Sequence, residues 1–203
     1  MGNYDRLNEY QTKCRKICFT DVPMQSDTWE IVRVEHESKI HRKIKILPHL
    51  FLPPHDKSVW IDGHLKPLID IESFAQDKSG FWLMDHPLRK CIYEEANACI
   101  AMRKDNRKVI ERQTTRYRLE RYPPNAGLVA TGVLIREPGF EDVLEHWWSE
   151  VRDFSVRDQL SFNYVAYKNN LRYNTFPFLQ GFKNQYHVTD RRHQHHHRQT
   201  RTK

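Results

Sequence analysis

The sequence predicts an α/β domain layered around a largely parallel sheet. Three observations carry this. Runs of strand length and strand composition occur at residues 17–22, 29–34, 58–61 and 128–135. Segments with helical spacing lie between and after them. The 203 residues, 38% hydrophobic, are enough for one substantial core and too few for two comfortable ones.

The elements follow in chain order. Ile-Cys-Phe-Thr-Asp-Val at 17–22 is a short apolar run ending in Thr-Asp, and Trp-Glu-Ile-Val-Arg-Val at 29–34 alternates; both predict strands. Residues 38–47 place Ile40, Ile44 and Leu47 on one helical face and Lys39, Arg42 and Lys43 on another. Pro48 ends or kinks that helix. Ser-Val-Trp-Ile at 58–61 is a strand running into Asp62-Gly63-His64. Pro87 suits a first helical turn, which predicts a helix from there past Arg103 and on towards Arg118 with a break. Tyr122-Pro123-Pro124-Asn125 is a loop, and 128–135 a further strand. Helices follow at 140–152, carrying Trp147 and Trp148, and at 156–169, N-capped by Ser155. Residues 174–183 read as irregular.

The formal charge of +7 is a feature of the end of the chain. Residues 191–203 hold Arg191, Arg192, Arg198, Arg201, Lys203 and no acid; without these five, the 33 basic residues become 28 against 26 acidic ones. No specific nucleic-acid partner is therefore expected. The His- and Arg-rich segment 191–203 is expected to be a disordered tail beyond a domain spanning 1–190. Neither Cys14 with Cys18 nor Cys91 with Cys99 has C-x-x-C spacing, so four free thiols are expected. The chain opens on polar residues, and no apolar run approaches the roughly 20 residues that span a bilayer. No transmembrane segment and a cytoplasmic location are expected.

Four segments hold candidate chemistry. Asp62 arrives at the carboxyl end of a strand and His64 follows two positions on, a pair that suits one divalent ion but equally an Asp-Gly turn. Arg42 and Lys45 are three apart, so both could reach a phosphate or a structural acid. His86 and Arg89 near a helix start suit an anion, with Glu94 and Glu95 able to bind sugar hydroxyls or simply to form ion pairs along the helix. In Ser155-Val156-Arg157-Asp158-Gln159, Asp158 is placed either to complete a capping box or to act as a functional carboxylate.

Several strings together are similar to one family, in its order and over about residues 2–165. They are Gly2-Asn3-Tyr4-Asp5, Cys18-Phe19-Thr20-Asp21, Arg42-Lys43-Ile44-Lys45-Ile46-Leu47-Pro48-His49, Trp60-Ile61-Asp62-Gly63, His86-Pro87-Leu88-Arg89 with Tyr93-Glu94-Glu95-Ala96, Gly127-Leu128 with Ile135-Arg136, and Trp148 through Arg157-Asp158-Gln159-Leu160-Ser161-Phe162. The chain resembles the glycosyltransferase-like domains of bacterial and large-virus proteins and of plant proteins tied to pectin and mucilage. The resemblance implies a GT-A-like three-layer α/β/α sandwich with a central mixed, mostly parallel sheet. It implies a hexosyl- or other glycosyltransferase of polysaccharide biosynthesis. The donor would be a UDP- or GDP-sugar, the acceptor a glycan or lipid-linked hydroxyl, and the cofactor Mn²⁺ or Mg²⁺. A non-catalytic GT-A-like binding or scaffold module is the alternative.

Carried over residue by residue, Asp62 with His64 would hold the metal. Tyr4, Thr20, Asp21, Arg42, Lys45, His86 and Arg89 would bind the donor. Glu94, Glu95, Gly127 and Arg157 would bind acceptor or sugar, and Asp158 with Gln159 would be catalytic. Two departures stand out. Relatives carry an apolar strand before Gly-Asn-Tyr-Asp where Met1 stands here, so the domain is expected to lack its first strand. Ala130 stands where many relatives have an acid.

Overall fold

The computed structural model describes residues 7–184; Tyr4 and the segment 191–203 lie outside them. The described chain forms two compact units, one of residues 7–36, 61–76 and 181–184, the other of 37–60 and 77–180. It is α/β, with a mixed sheet and six α-helices among the described residues. None of its helices is long and apolar enough to cross a membrane.

In the first unit, β1 (Ile17–Thr20) pairs in parallel with β2 (Glu30–Arg33), Ile17 opposite Glu30 and Thr20 opposite Arg33. Both runs were legible as strands. Their edge is anchored by Asn8, whose carbonyl accepts from Trp29 Nε1 at 3.2 Å and whose side-chain amide donates to Gly63 O and Leu65 O. A second pair, β4 (Leu65–Pro67) with β8 (Phe182–Asn184), is antiparallel. The short helix α2 (Ile71–Gln76) is capped by Asp70, which accepts from Ser73 N at 3.1 Å, and Phe74 packs edge-on against Phe182. Gly181, entering β8, has φ 76°. A Cβ there would overlap Ile69 Cδ1 and stand 2.8 Å from its Cγ1. Gly181→Ala should therefore cost about 2 kcal/mol through overpacking and left-handed backbone strain. An unchanged urea midpoint would contradict this.

The second unit is built on a four-stranded sheet ordered β3 (Ser58–Ile61), β6 (Val129–Arg136), β5 (Phe81–Asp85), β7 (Asn174–Phe176). Only the last residue of β3 falls in the first unit. β5 runs antiparallel to β6 and parallel to β7, so the sheet is mixed and its central pair is antiparallel. Every residue of β6 but Gly132 is buried, as expected of a strand covered on both faces. The helices are α1 (Ile40–Ile46), α3 (Ile92–Ala101), α4 (Arg107–Leu119), α5 (Glu141–Asp153) and α6 (Gln159–Lys168). Residues 160–166 of α6 are all buried, against α3, α5 and β6. This enclosed stretch reads Leu-Ser-Phe-Asn-Tyr-Val-Ala; its buried Ser161 donates to Asp158 O and its Asn163 accepts from Val129 N, so both polar side chains are satisfied. The core gathers Trp147, Phe81 and Phe162, with Trp147 and Phe162 ring centres 4.9 Å apart.

Three expectations need correction. The helix expected from Pro87 starts at Ile92, because His86 Nδ1 accepts from the backbone N–H groups of Leu88 and Arg89 and folds 86–91 into a turn. Residues 174–183 are not irregular throughout: they contain β7 and the start of β8. The last helix starts at Gln159 and is not capped by Ser155, whose hydroxyl donates to Asp105 and accepts from Arg157 N. The four cysteines are free thiols, Cys14 exposed and the others buried.

Candidate functional site

Asp158 immediately precedes α6 with helical backbone angles, and its side chain caps nothing. Its carbonyl oxygen accepts from Trp147 Nε1 at 3.1 Å and Ser161 Oγ at 3.0 Å, which ties it to the core. The residue is 1% exposed, and its carboxylate lies 2.7 Å from Lys45 Nζ and 3.2 Å from Arg42 Nη1. Burial alone would raise this carboxyl. The Arg42 guanidinium and Lys45 ammonium outweigh burial and hold it far below the usual carboxylate range. A carboxylate so held is a weak proton acceptor.

The two cations come from one short helix that is fixed at both ends. Lys39, in the left-handed region at φ 65°, starts it and donates through Nζ to Val151 O, Arg152 O and Phe154 O, the open carbonyls where α5 ends. At its other end the buried Arg136 donates to Lys45 O and to Ile46 O. With i and i+3 on one face, Arg42 and Lys45 both turn to Asp158. Lys45 is wholly buried, a rare state for lysine without a paired acid.

Gln159, the next residue, connects this group to a second one. Its side-chain amide donates to Glu95 Oε1. Glu95, 3% exposed, also accepts from Arg89 Nε at 2.5 Å and from Cys99 Sγ at 3.4 Å. His86 Nε2 lies 3.4 Å from Glu95 Oε2. Because His86 Nδ1 accepts two backbone N–H bonds, the ring proton sits on Nε2 and faces Glu95. Desolvation lowers the His86 pKa more than Glu95 raises it, so the ring is neutral near pH 7 and adds no positive charge. Arg42, Lys45, Asp158, Gln159, Glu95, Arg89 and His86 thus form one connected network in the second unit. Arg157 borders it: its charge helps lower the Asp158 carboxyl, and its buried Nε has no hydrogen-bond partner among the described residues.

The remaining expected residues are placed as follows. Glu94 is exposed on the first turn of α3. Gly127, at φ 94°, donates to Lys90 O at 3.1 Å; a Cβ there would stand 3.6 Å from Asn163 Nδ2. In the first unit, Thr20 is buried and its hydroxyl engages the backbone of Val22. Asp21 pairs with His36 Nδ1 at 2.9 Å, a bond that lowers the Asp21 carboxyl. Asp62 and His64 flank Gly63 in a turn closed by Leu65 N donating to Asp62 O at 2.8 Å, the turn that joins β3 to β4. One carboxylate and one imidazole are suitable donors for Mn²⁺ but fill only two positions. No group of three His, Cys, Asp or Glu side chains is arranged to hold a metal among the described residues. Asp62 and His64 therefore fit a divalent ion only if the oxygens of a ligand complete its shell.

Sequence reading did not single out Cys99, Lys39 or Arg136 as neighbours of this network. Cys99 follows Glu95 by four positions on α3 and so shares its face, which was a readable signal. The roles of Lys39 and Arg136 depend on contacts across about 90 to 115 residues and left none.

The chain matches the family model described as TOD1/MUCI70, glycosyltransferase-like domain, over residues 8–196. Comparison with curated proteins gave no match.

Proposed function

Since the chain belongs to the TOD1/MUCI70 glycosyltransferase-like domain family, we propose that it is a GT-A-type enzyme transferring a sugar from a UDP- or GDP-sugar to a glycan or lipid-linked hydroxyl. The observation that carries this reading is the convergence of Arg42, Lys45, His86, Arg89, Glu95, Asp158 and Gln159, from four separate segments, into one polar network around the buried Lys45, Glu95 and Asp158. Transfer from a nucleotide diphospho-sugar leaves a diphosphate whose negative charge grows as the glycosidic bond breaks. Fixed cations aimed at that charge lower the barrier. Arg42 and Arg89, whose side chains are partly exposed, are suited to this, with Lys45 buried behind them against Asp158.

Asp158 then serves as a positioning residue. Its ionised carboxylate keeps the buried Lys45 charged and orients both Lys45 and Arg42. Gln159 and Glu95 are suited to hold sugar hydroxyls, with His86 supplying a neutral N–H that keeps Glu95 in place. Arg157, Glu94 and Gly127 are read as lying towards the acceptor. Independently, in the first unit, Thr20 and Asp21 are read as nucleoside contacts and Asp62 with His64 as ligands of a divalent ion. Such an ion would supply positive charge to a phosphate held in that unit.

A binding module without turnover is the second reading. It is favoured by the saturation of the Glu95 carboxylate, which already has Arg89, Gln159, His86 and Cys99 around it. Release of UDP or GDP from a panel of nucleotide-sugars, with and without Mn²⁺ and with glycan acceptors, separates the two. Turnover with one nucleotide class is expected. Tight binding of a nucleotide-sugar with no release across the panel would leave the module reading standing.

A further inference from the structure

The basic charge of the folded chain is concentrated on one helix. Between residues 103 and 121 there are eight basic and three acidic residues. Outside this segment and the tail 191–203, the 28 basic residues fall to 20 and the 26 acidic ones to 23, so the rest of the chain is net negative. Helical periodicity divides α4 sharply. Ile110, Gln113, Thr114 and Tyr117 are buried, while Arg107, Lys108, Arg112, Arg118 and Leu119 are exposed. At roughly 1.5 Å per residue, the 13-residue helix presents this face over about 20 Å. Lys104 extends it at one end. Only Glu111 interrupts it, paired with Arg107.

The same face carries an apolar side chain that the core does not use. Leu119 is 79% exposed, and standing two turns beyond Arg112 and three beyond Lys108 it shares their face of the helix. Arg112 and Arg118 are held in place, Arg112 by a bond to Asp153 O and by the Phe154 ring, Arg118 over the Tyr93 ring. A preset row of cations with an exposed leucine among them is the pattern of a helix lying on an anionic bilayer. The cations meet headgroup charge, and the leucine enters the acyl boundary. A nucleic acid would use the cations and leave the leucine idle.

We propose that the exposed face of α4 docks this protein peripherally on a membrane surface bearing anionic phospholipids. The site lies apart from the Asp158–Glu95 network and does not depend on the glycosyltransferase reading.

The test is co-sedimentation of the full chain with vesicles of phosphatidylcholine containing 30% phosphatidylserine, against pure phosphatidylcholine, at 0.1 M NaCl. Binding to the mixed vesicles only is expected. Lys104→Glu/Lys108→Glu reverses two exposed charges, so folding, checked by thermal melting, should be unchanged. Each basic residue near such a surface contributes about 5-fold in affinity, so this double variant should bind at least 25-fold more weakly. Leu119→Ser should weaken vesicle binding several-fold and leave binding to a DNA duplex unchanged. Deleting residues 191–203 should leave most of the binding in place. Equal binding to both vesicle types, binding indifferent to the double reversal, or binding abolished by the tail deletion alone would each overturn the proposal. So would a Leu119→Ser variant that binds vesicles like wild type, since a leucine-independent polyanion surface would fit nucleic acid instead.

Discussion

Asp158→Asn is expected to destabilise the second unit by about 3 kcal/mol or more. The substitution preserves shape but leaves Lys45, 0% exposed, facing a neutral amide 2.7 Å away where a carboxylate stood. Breaking a buried pair from one side costs about 3–5 kcal/mol, because the remaining charge loses its carboxylate while staying out of water. The partner change tests the cause. Lys45→Met/Asp158→Asn removes both buried charges and leaves Arg42, whose side chain is 15% exposed, to reach solvent. The double variant should recover a good part of the loss, with the two changes strongly non-additive. Losses that simply add would mean that the two groups do not depend on each other.

The same pair sets an acid dependence. The folded Asp158 carboxyl titrates below its unfolded value, so its contribution is fully present above about pH 4, the ordinary unfolded range. It is lost progressively as pH falls from there towards the depressed folded value. Wild type should lose stability steeply below pH 4, and the Lys45→Met/Asp158→Asn variant should lose less.

Arg42→Ala is expected to cut sugar transfer by roughly 100-fold, the usual effect of removing one fixed donor from developing negative charge. Stability should fall less than with Asp158→Asn, because Lys45 still neutralises Asp158. Transfer kinetics alongside urea denaturation separate the effects. A variant that transfers sugar as wild type does, while remaining folded, would remove Arg42 from the chemistry.

The sequence made some of this visible and hid the rest for identifiable reasons. The strand at 58–61 was legible residue for residue, since an apolar β-branched run ends there at Asp-Gly. The helix carrying Trp147 and Trp148 was legible to within a residue at each end. β5 was missed although it is central to its sheet: Phe81 to Met84 is an apolar run bounded by Gly80 and Asp85, a signal overshadowed by the prominent His86-Pro87 beside it. β4, β7 and β8 have three residues each, too few for any period to appear. The spacing of Arg42 and Lys45 correctly suggested a shared target. That the target is Asp158, 116 residues on from Arg42, is a fact of tertiary packing. Lysine and arginine on a short helix ordinarily mean a solvated face, so the burial of Lys45 was also unreadable. The paired state of Asp158 follows from that burial, and it shifts the residue's proposed role from proton acceptor to the group that holds two cations in place.

The central claim is that the network joining Arg42, Lys45, Asp158, Gln159, Glu95 and Arg89 engages a nucleotide diphospho-sugar. Isothermal titration of UDP, GDP and their sugar conjugates into the full chain, with and without Mn²⁺, tests it most directly when repeated on Arg42→Ala and Arg89→Ala. One nucleotide class should bind wild type, with affinity at least 10-fold weaker in each folded variant. No heat with any ligand, or equal affinity in wild type and both variants, would contradict it.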